Sequence, residues 1–145
     1  MYKKLLVYLD GTPFTESVLD HVIEIARAEE SEVILVTVLP KPEPEIVGGV
    51  MVSSIDQVVE RSAARAEDYL RGISWHLQLY GIKSRRVVRF GDRAKEISEC
   101  AKLHEVDLIV MPSHNRQGLD RIIHGSVSEK VMKSVPMPML VLNAA

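Results

Sequence analysis

Short uninterrupted apolar runs alternate along the chain with longer stretches in which apolar residues recur every three or four positions. Lys4 to Leu9 is the first run, and it ends in the turn cluster Asp10-Gly11-Thr12-Pro13. Behind Thr15, which can cap a helix start, Val18, Leu19, Val22, Ile23 and Ala26 fall on one helical face. Val33 to Val38 reads as a second strand, and Ser84 to Phe90 as a third, closed by Gly91-Asp92. Asp92 can cap a helix whose inner face carries Ala94, Ile97 and Ala101. Leu108 to Met111 reads as a fourth strand ending at Pro112, and Met139 to Leu142 as a fifth. Strands without polar alternation are buried on both faces, as in parallel sheets. Alternation of such strands with helices requires right-handed crossovers and an open, doubly wound sheet.

Between the second and third strands lies a longer interval. Pro40 to Ser54 holds Pro40, Pro42, Pro44 and the Gly48-Gly49 pair, and reads as a loop, either a solvated connector or a lid. A long helix over Ile55 to Tyr80 follows, with Val59, Ala63, Ala66, Leu70, Ile73 and Leu77 as its inward stripe and Gly81 at its C-terminal cap. The cations Lys83, Arg85, Arg86 and Arg89 cluster in and around the third strand. Charge of this kind protects an edge strand from pairing with other chains. A nucleic-acid contact is the alternative, but no aromatic residues interleave the charges to stack bases.

Composition narrows the class. The 145 residues suit a single domain, 1–145, able to bury its own core. A net charge of -2 supplies no basic field for nucleic acid or an anionic membrane surface. The lone Cys100 excludes an intramolecular disulfide and a cysteine-rich zinc site, which fits a reducing cytoplasm. The N-terminal apolar run is broken at Asp10-Gly11, too early for the core of a signal peptide. No apolar stretch approaches the roughly 20 residues that span a bilayer. The expectation is a soluble cytoplasmic protein with no membrane and no nucleic-acid partner.

In open parallel sheets ligands bind beyond the C-terminal strand ends, which here means Asp10, Val38-Leu39 and the segment after Met111. That last segment runs through a polar loop to Gly125-Ser126, which opens a helix. Unpaired N–H groups and the positive dipole end of a helix favour phosphate there, and Ser126 and Ser128 can donate to its oxygens. Ser126-Val127-Ser128-Glu129 is equally a capping box, which needs no ligand. Asp10 followed by Gly11 is likewise an ordinary turn former. The five histidines have no metal-ligand spacing, and there is no Gly-x-Ser-x-Gly elbow and no Walker-type Gly-Lys-Ser/Thr. His114 and His124 bracket the loop and either touch a phosphate or are plain surface histidines; no convincing positioned nucleophile or general base is evident, so no catalytic or metal-ligating residue is assigned.

The segment from Pro112 to Ser126 resembles the nucleotide-binding signature of the universal stress protein family, G-x2-G-x9-G-[ST]. Pro112 occupies the first glycine position, Asn115 the second, and Gly125-Ser126 the third glycine and its hydroxyl partner, without a gap. His114, Arg116, Gly118 and Leu119 match the usual loop residues, and Leu108 to Met111 and Pro138 to Leu142 the flanking strands. The resemblance extends over essentially the whole chain. The expected architecture is therefore α/β, a Rossmann-like five-stranded parallel sheet of order 3-2-1-4-5 with helices on both faces.

The resemblance implies binding of an adenine nucleotide, ATP or AMP, with Mg as a possible companion and slow hydrolysis at most. Asp10 would stand by the ribose or a phosphate-bound metal, and Val38 would offer backbone groups to the adenine edge. Ser113 and Asn115 would line the ribose and inner phosphate, while Gly125, Ser126, Val127 and Ser128 would cradle the outer phosphates. Asparagine tolerates positive φ, but Pro112 fixes φ, removes a donor and puts a ring where the signature leaves room. Those two residues keep open a second reading, a dimeric interaction module of the same fold without nucleotide. A phosphatase or nucleotide hydrolase is a third. The uncharged edge of Met139 to Leu142 is expected to pair with a second copy, giving a homodimer, as the resemblance also implies.

Overall fold

The computed structural model describes residues 1–113 and 126–143. Five parallel strands form the central sheet: β1 (Lys4–Tyr8), β2 (Glu32–Leu39), β5 (Ser84–Phe90), β6 (Leu108–Ser113) and β7 (Met139–Asn143). Their spatial order is β5-β2-β1-β6-β7, which is the expected 3-2-1-4-5 in the order of the parallel strands. Leu5 lies opposite Val33 on one side and Leu108 on the other, so β1 is the centre from which the two halves of the sheet diverge.

Helices cover both faces because successive side chains of each strand point to opposite sides. Leu5, Val7, Leu9, Val33 and Leu35 pack with α2 (Leu19–Glu29) and with Leu70 and Leu77 of α3 (Ile55–Gln78). Leu6, Tyr8, Ile34, Val36 and Val38 pack on the other face with Ile97, Cys100 and Ala101 of α4 (Arg93–Leu103) and Val131 of α5 (Val127–Ser134). In α3 the residues Ala66, Leu70, Ser74 and Leu77 are buried, whereas Val59, Ala63 and Ile73 of the expected stripe are half-buried. The helix stops at Gln78, two residues before the expected end, and Gly81 then takes a left-handed φ of 75°.

Three local expectations are corrected. Thr15 is not a helix cap. Thr12 caps the short α1 (Pro13–Glu16), accepting from Thr15 N at 3.3 Å, while Thr15 is buried and α2 starts after Val18 without a side-chain cap. Pro112 does not end the fourth strand but lies inside β6, in register with Leu142. β1 pairs with β6 only as far as Val110, so Pro112 stands where one flank is open, and the missing donor breaks no interior ladder. The interval Pro40 to Ser54 is not irregular throughout, since it contains an antiparallel hairpin, β3 (Glu45–Val47) and β4 (Val50–Ser53). Gly48 and Gly49, at φ of 58° and 79°, supply the two left-handed residues that a tight two-residue hairpin turn needs. Arg61 of α3 holds the hairpin by its ends, donating to Glu45 at 2.7 Å and Ser53 at 2.8 Å.

β5 is an edge strand whose cations meet carboxylates. Arg89 pairs with Glu96 at 3.1 Å and Glu99 at 3.3 Å, and Arg86 with Glu67. Arg85 Nε comes within 2.6 Å of Glu32 Oε1, although that oxygen has no properly aligned donor. No helix among the described residues is long and apolar enough to cross a membrane.

Candidate functional site

The strand order reverses at β1, because β2 lies on one side of it and β6 on the other. Crevices form beyond the C-terminal ends of strands at such a point. Asp10 stands there, two residues past the end of β1. Its Oδ1 accepts from Thr12 N at 3.0 Å, Thr12 Oγ1 at 2.5 Å and Thr15 Oγ1 at 2.8 Å. These bonds fold Asp10-Gly11-Thr12 into a turn, so the turn-forming role is realised, and they leave Oδ2 without a donor among the described residues. Burial acts to raise the Asp10 pKa, but the threonine hydrogen bonds and the Arg93 charge outweigh it and hold the carboxyl below its ordinary value. Tyr69 Oη of α3 donates to Glu16 Oε2 at 2.5 Å and ties α1, and with it this turn, to the body of the fold.

Across the crevice, α5 begins at Ser126, whose Oγ accepts from Glu129 N at 3.1 Å and lies 2.9 Å from Ser128 Oγ. The amides of Val127 and Ser128 are first-turn donors without partners inside the helix. Ser128 is buried. The helix is anchored through Val131, which is fully buried against the sheet.

Asp10, Ser126, Val127 and Ser128 line one cavity of about 70 Å³ together with Tyr8, Phe14 and Pro112. A second cavity of about 380 Å³ shares Arg93 and Val127 with it and reaches Val38, Gly91 and Lys130. The structure thus brings five of the eight sequence-selected residues, Asp10, Val38, Ser126, Val127 and Ser128, to two adjoining cavities. Ser113 is half-buried at the end of β6, opposite Asn143, and lines neither. Asn115 and Gly125 lie outside the described residues, as do His114 and His124. Larger hollows of about 590 and 600 Å³ open at the opposite end of the sheet, around Gly81, Ile82 and Lys83. They sit at the N-terminal strand ends, away from the switch point.

Sequence reasoning missed Tyr8, Arg93 and Lys130. Tyr8 is the one aromatic residue of β1 and shares a strand face with Asp10, a signal that was available. Arg93 is the first residue of α4, directly after the Asp92 cap that accepts from Lys95 N at 3.0 Å. Its place at a strand end could be read, but the crevice it faces could not. Among the described residues no group of His, Cys, Asp and Glu converges as a metal site.

Residues 1–143 match the model of the universal stress protein family. A universal stress protein of Methanocaldococcus jannaschii, MJ0531, is 30% identical over 98% of this chain and 82% of its own length. The solved structure of MJ0577 from the same organism superposes with a TM-score of 0.81 at 30% identity, covering 100% of this chain and 98% of that one. A universal stress protein solved in complex with cAMP superposes with a TM-score of 0.76 at 17% identity, covering 99% and 98% of the two chains.

Proposed function

The chain belongs to the universal stress protein family, and from that premise we propose that it is a small cytoplasmic regulatory protein of the stress response that binds an adenine nucleotide, ATP or AMP, at the C-terminal ends of its strands. The observation that carries this reading is the convergence of Asp10, Ser126, Val127 and Ser128 at the switch point of the sheet. The first-turn amides of α5, its dipole and the paired hydroxyls of Ser126 and Ser128 suit phosphate oxygens. The cavity of about 380 Å³ beside Val38 falls within the roughly 300–1,000 Å³ of small-molecule sites and suits the adenine end. Asp10 Oδ2 is available to a ribose hydroxyl or a phosphate-bound Mg²⁺, and Asn115 and Gly125 would complete the loop. Ser113 has less support than the others, since it lines neither cavity. Arg93 and Lys130 add positive charge on the rim. Proteins of this fold have been solved with cAMP and, from Archaeoglobus fulgidus, with dAMP, which supports the ligand class through the fold alone.

A second reading has its own observation. The cavity that Asp10 shares with Ser126 and Ser128 measures only about 70 Å³, with Pro112 and Tyr8 in its lining, which favours a dimeric module that holds no nucleotide. In both readings β7 pairs with β7 of a second copy, because it is the free edge of the sheet opposite β5.

Thermal denaturation with ATP, ADP and AMP, with and without magnesium, separates the two. A nucleotide at a hundred times its dissociation constant stabilises by about 2.7 kcal/mol. The expected result is a rise of several degrees with at least one nucleotide. No shift at millimolar concentrations of all three overturns the nucleotide reading and leaves the dimeric module.

A further inference from the structure

Tyr8 is only 4% exposed, and its hydroxyl is buried without a hydrogen-bond partner among the described residues. Buried polar atoms are nearly always paired, and a phenylalanine in this position would fill the same space without an unsatisfied hydroxyl. Tyr8 lines the small cavity with Ser126, Ser128 and Asp10, the last of which follows two residues past the end of β1. Burial, the larger effect, together with the Asp10 charge raises the Tyr8 pKa against the opposing influence of Arg93, so the phenol keeps its proton and is available as a donor. Asp10 presents the complementary vacancy. All three hydrogen bonds to its carboxylate fall on Oδ1, and Oδ2 has no donor among the described residues.

Tyr8, with a buried hydroxyl that lacks a partner among the described residues, and Asp10, an exposed carboxylate with one oxygen unengaged, line one cavity and together suit a group that both accepts and donates, as a hydroxyl does. A bare phosphate oxygen satisfies Tyr8 but is repelled by the Asp10 carboxylate. A metal ion satisfies Asp10 but not the phenol.

We propose that Tyr8 is a ligand-contacting, specificity-determining residue, whose Oη–H donates to a ribose hydroxyl that in turn donates to Asp10 Oδ2. This inference rests on the nucleotide reading and deepens it, because it makes the site selective for ribonucleotides over the matching deoxynucleotide.

The test measures dissociation constants by calorimetry for AMP, 2′-deoxy-AMP and 3′-deoxy-AMP, with the wild type and with Tyr8→Phe. Melting temperatures of both proteins without ligand are measured alongside. The wild type is expected to bind AMP about tenfold more tightly than one of the two deoxy analogues, the scale of one well-made hydrogen bond. Tyr8→Phe is expected to weaken AMP about tenfold and that analogue less than twofold. Its melting temperature without ligand should be unchanged or higher, since no bond is lost in the free protein. AMP affinity within twofold of wild type overturns the inference, and a water filling the cavity beside the phenol would give that result. Equal weakening of all three ligands with a lower melting temperature overturns it as well, by making the hydroxyl structural. If the wild type binds none of the three, the nucleotide reading itself fails and this inference falls with it. If the wild type binds and Tyr8→Phe binds equally, only the inference falls.

Discussion

Cys100 is fully buried on the inner face of α4, and burial, modified by Arg89 and Glu96, pushes its thiol up to about 11 from 9.0. The thiolate is the reactive species, so the native protein should react with a thiol reagent at neutral pH far more slowly than the protein in denaturant. A raised pKa also has a stability consequence. The neutral thiol is favoured by the fold, so its contribution is intact below 9.0 and is lost as pH rises towards about 11. Cys100→Ala should flatten the loss of stability in that alkaline window. Asp10 carries the opposite sign. Its pKa is depressed in the fold, so its contribution is present above the ordinary carboxylate value of about 3.9 and is lost as pH falls through the native value. Denaturation midpoints measured from neutral to acid pH should therefore decline less steeply for Asp10→Asn than for the wild type. Asp10 was legible from its place after a buried run. The partners that set its titration, Thr12, Thr15 and Arg93, depend on how the turn and α4 meet.

Among the elements, α5 matters most to the site and has a narrow hold on the fold. Its buried residues are Ser128 and Val131, and only Val131 is apolar. Val131→Ala should cost about 2 kcal/mol by removing two buried methyl groups. Because the same helix carries Ser128 and is capped by Ser126, the proposed nucleotide site predicts that the loss also weakens nucleotide affinity, measurable by titration of both proteins. Leu70→Ala in α3 should cost about 2–5 kcal/mol, since Leu70 is fully enclosed, yet leave the ligand affinity of the folded fraction unchanged. The β3–β4 hairpin was the element least legible in advance. Ile46, Val47, Val50, Met51 and Val52 are all more than half exposed, so neither strand buries an apolar face that would have produced an alternating pattern. The Gly48-Gly49 pair was its one signal, and three nearby prolines drew the reading towards an irregular loop.

At the scale of the molecule, the sheet has two unequal edges. β5 is charged and its arginines are engaged by Glu32, Glu67, Glu96 and Glu99, which discourages pairing with another chain. β7 has no charged residue, and Met139 to Leu142 are half-buried. Light scattering over a range of concentrations should therefore give the mass of a dimer, twice 16.2 kDa. A monodisperse monomer at all concentrations overturns the pairing of β7 with β7.

The alternation of buried-type strands with amphipathic helices was enough to determine the class and the strand count of the main sheet. Each of these follows from local periodicity and chain length, which neighbours in sequence carry by themselves. Asp10, Val38 and the start of α5 could be placed near one another because the C-terminal ends of parallel strands lie at one side of such a sheet whatever their side chains. The strand order, expected from the resemblance, is realised by pairings between residues as far apart as Leu5 and Leu108. Only the tertiary structure decided the lining of the candidate site: that Pro112 continues β6, that Tyr8 and Pro112 line the small cavity with Asp10, and that Arg93 and Lys130 line the larger one beside it. Those facts depend on contacts between residues a hundred positions apart, and on which polar atoms those contacts leave unpaired. Tyr8 Oη and Asp10 Oδ2 are the two such atoms on which the proposed ribose contact rests.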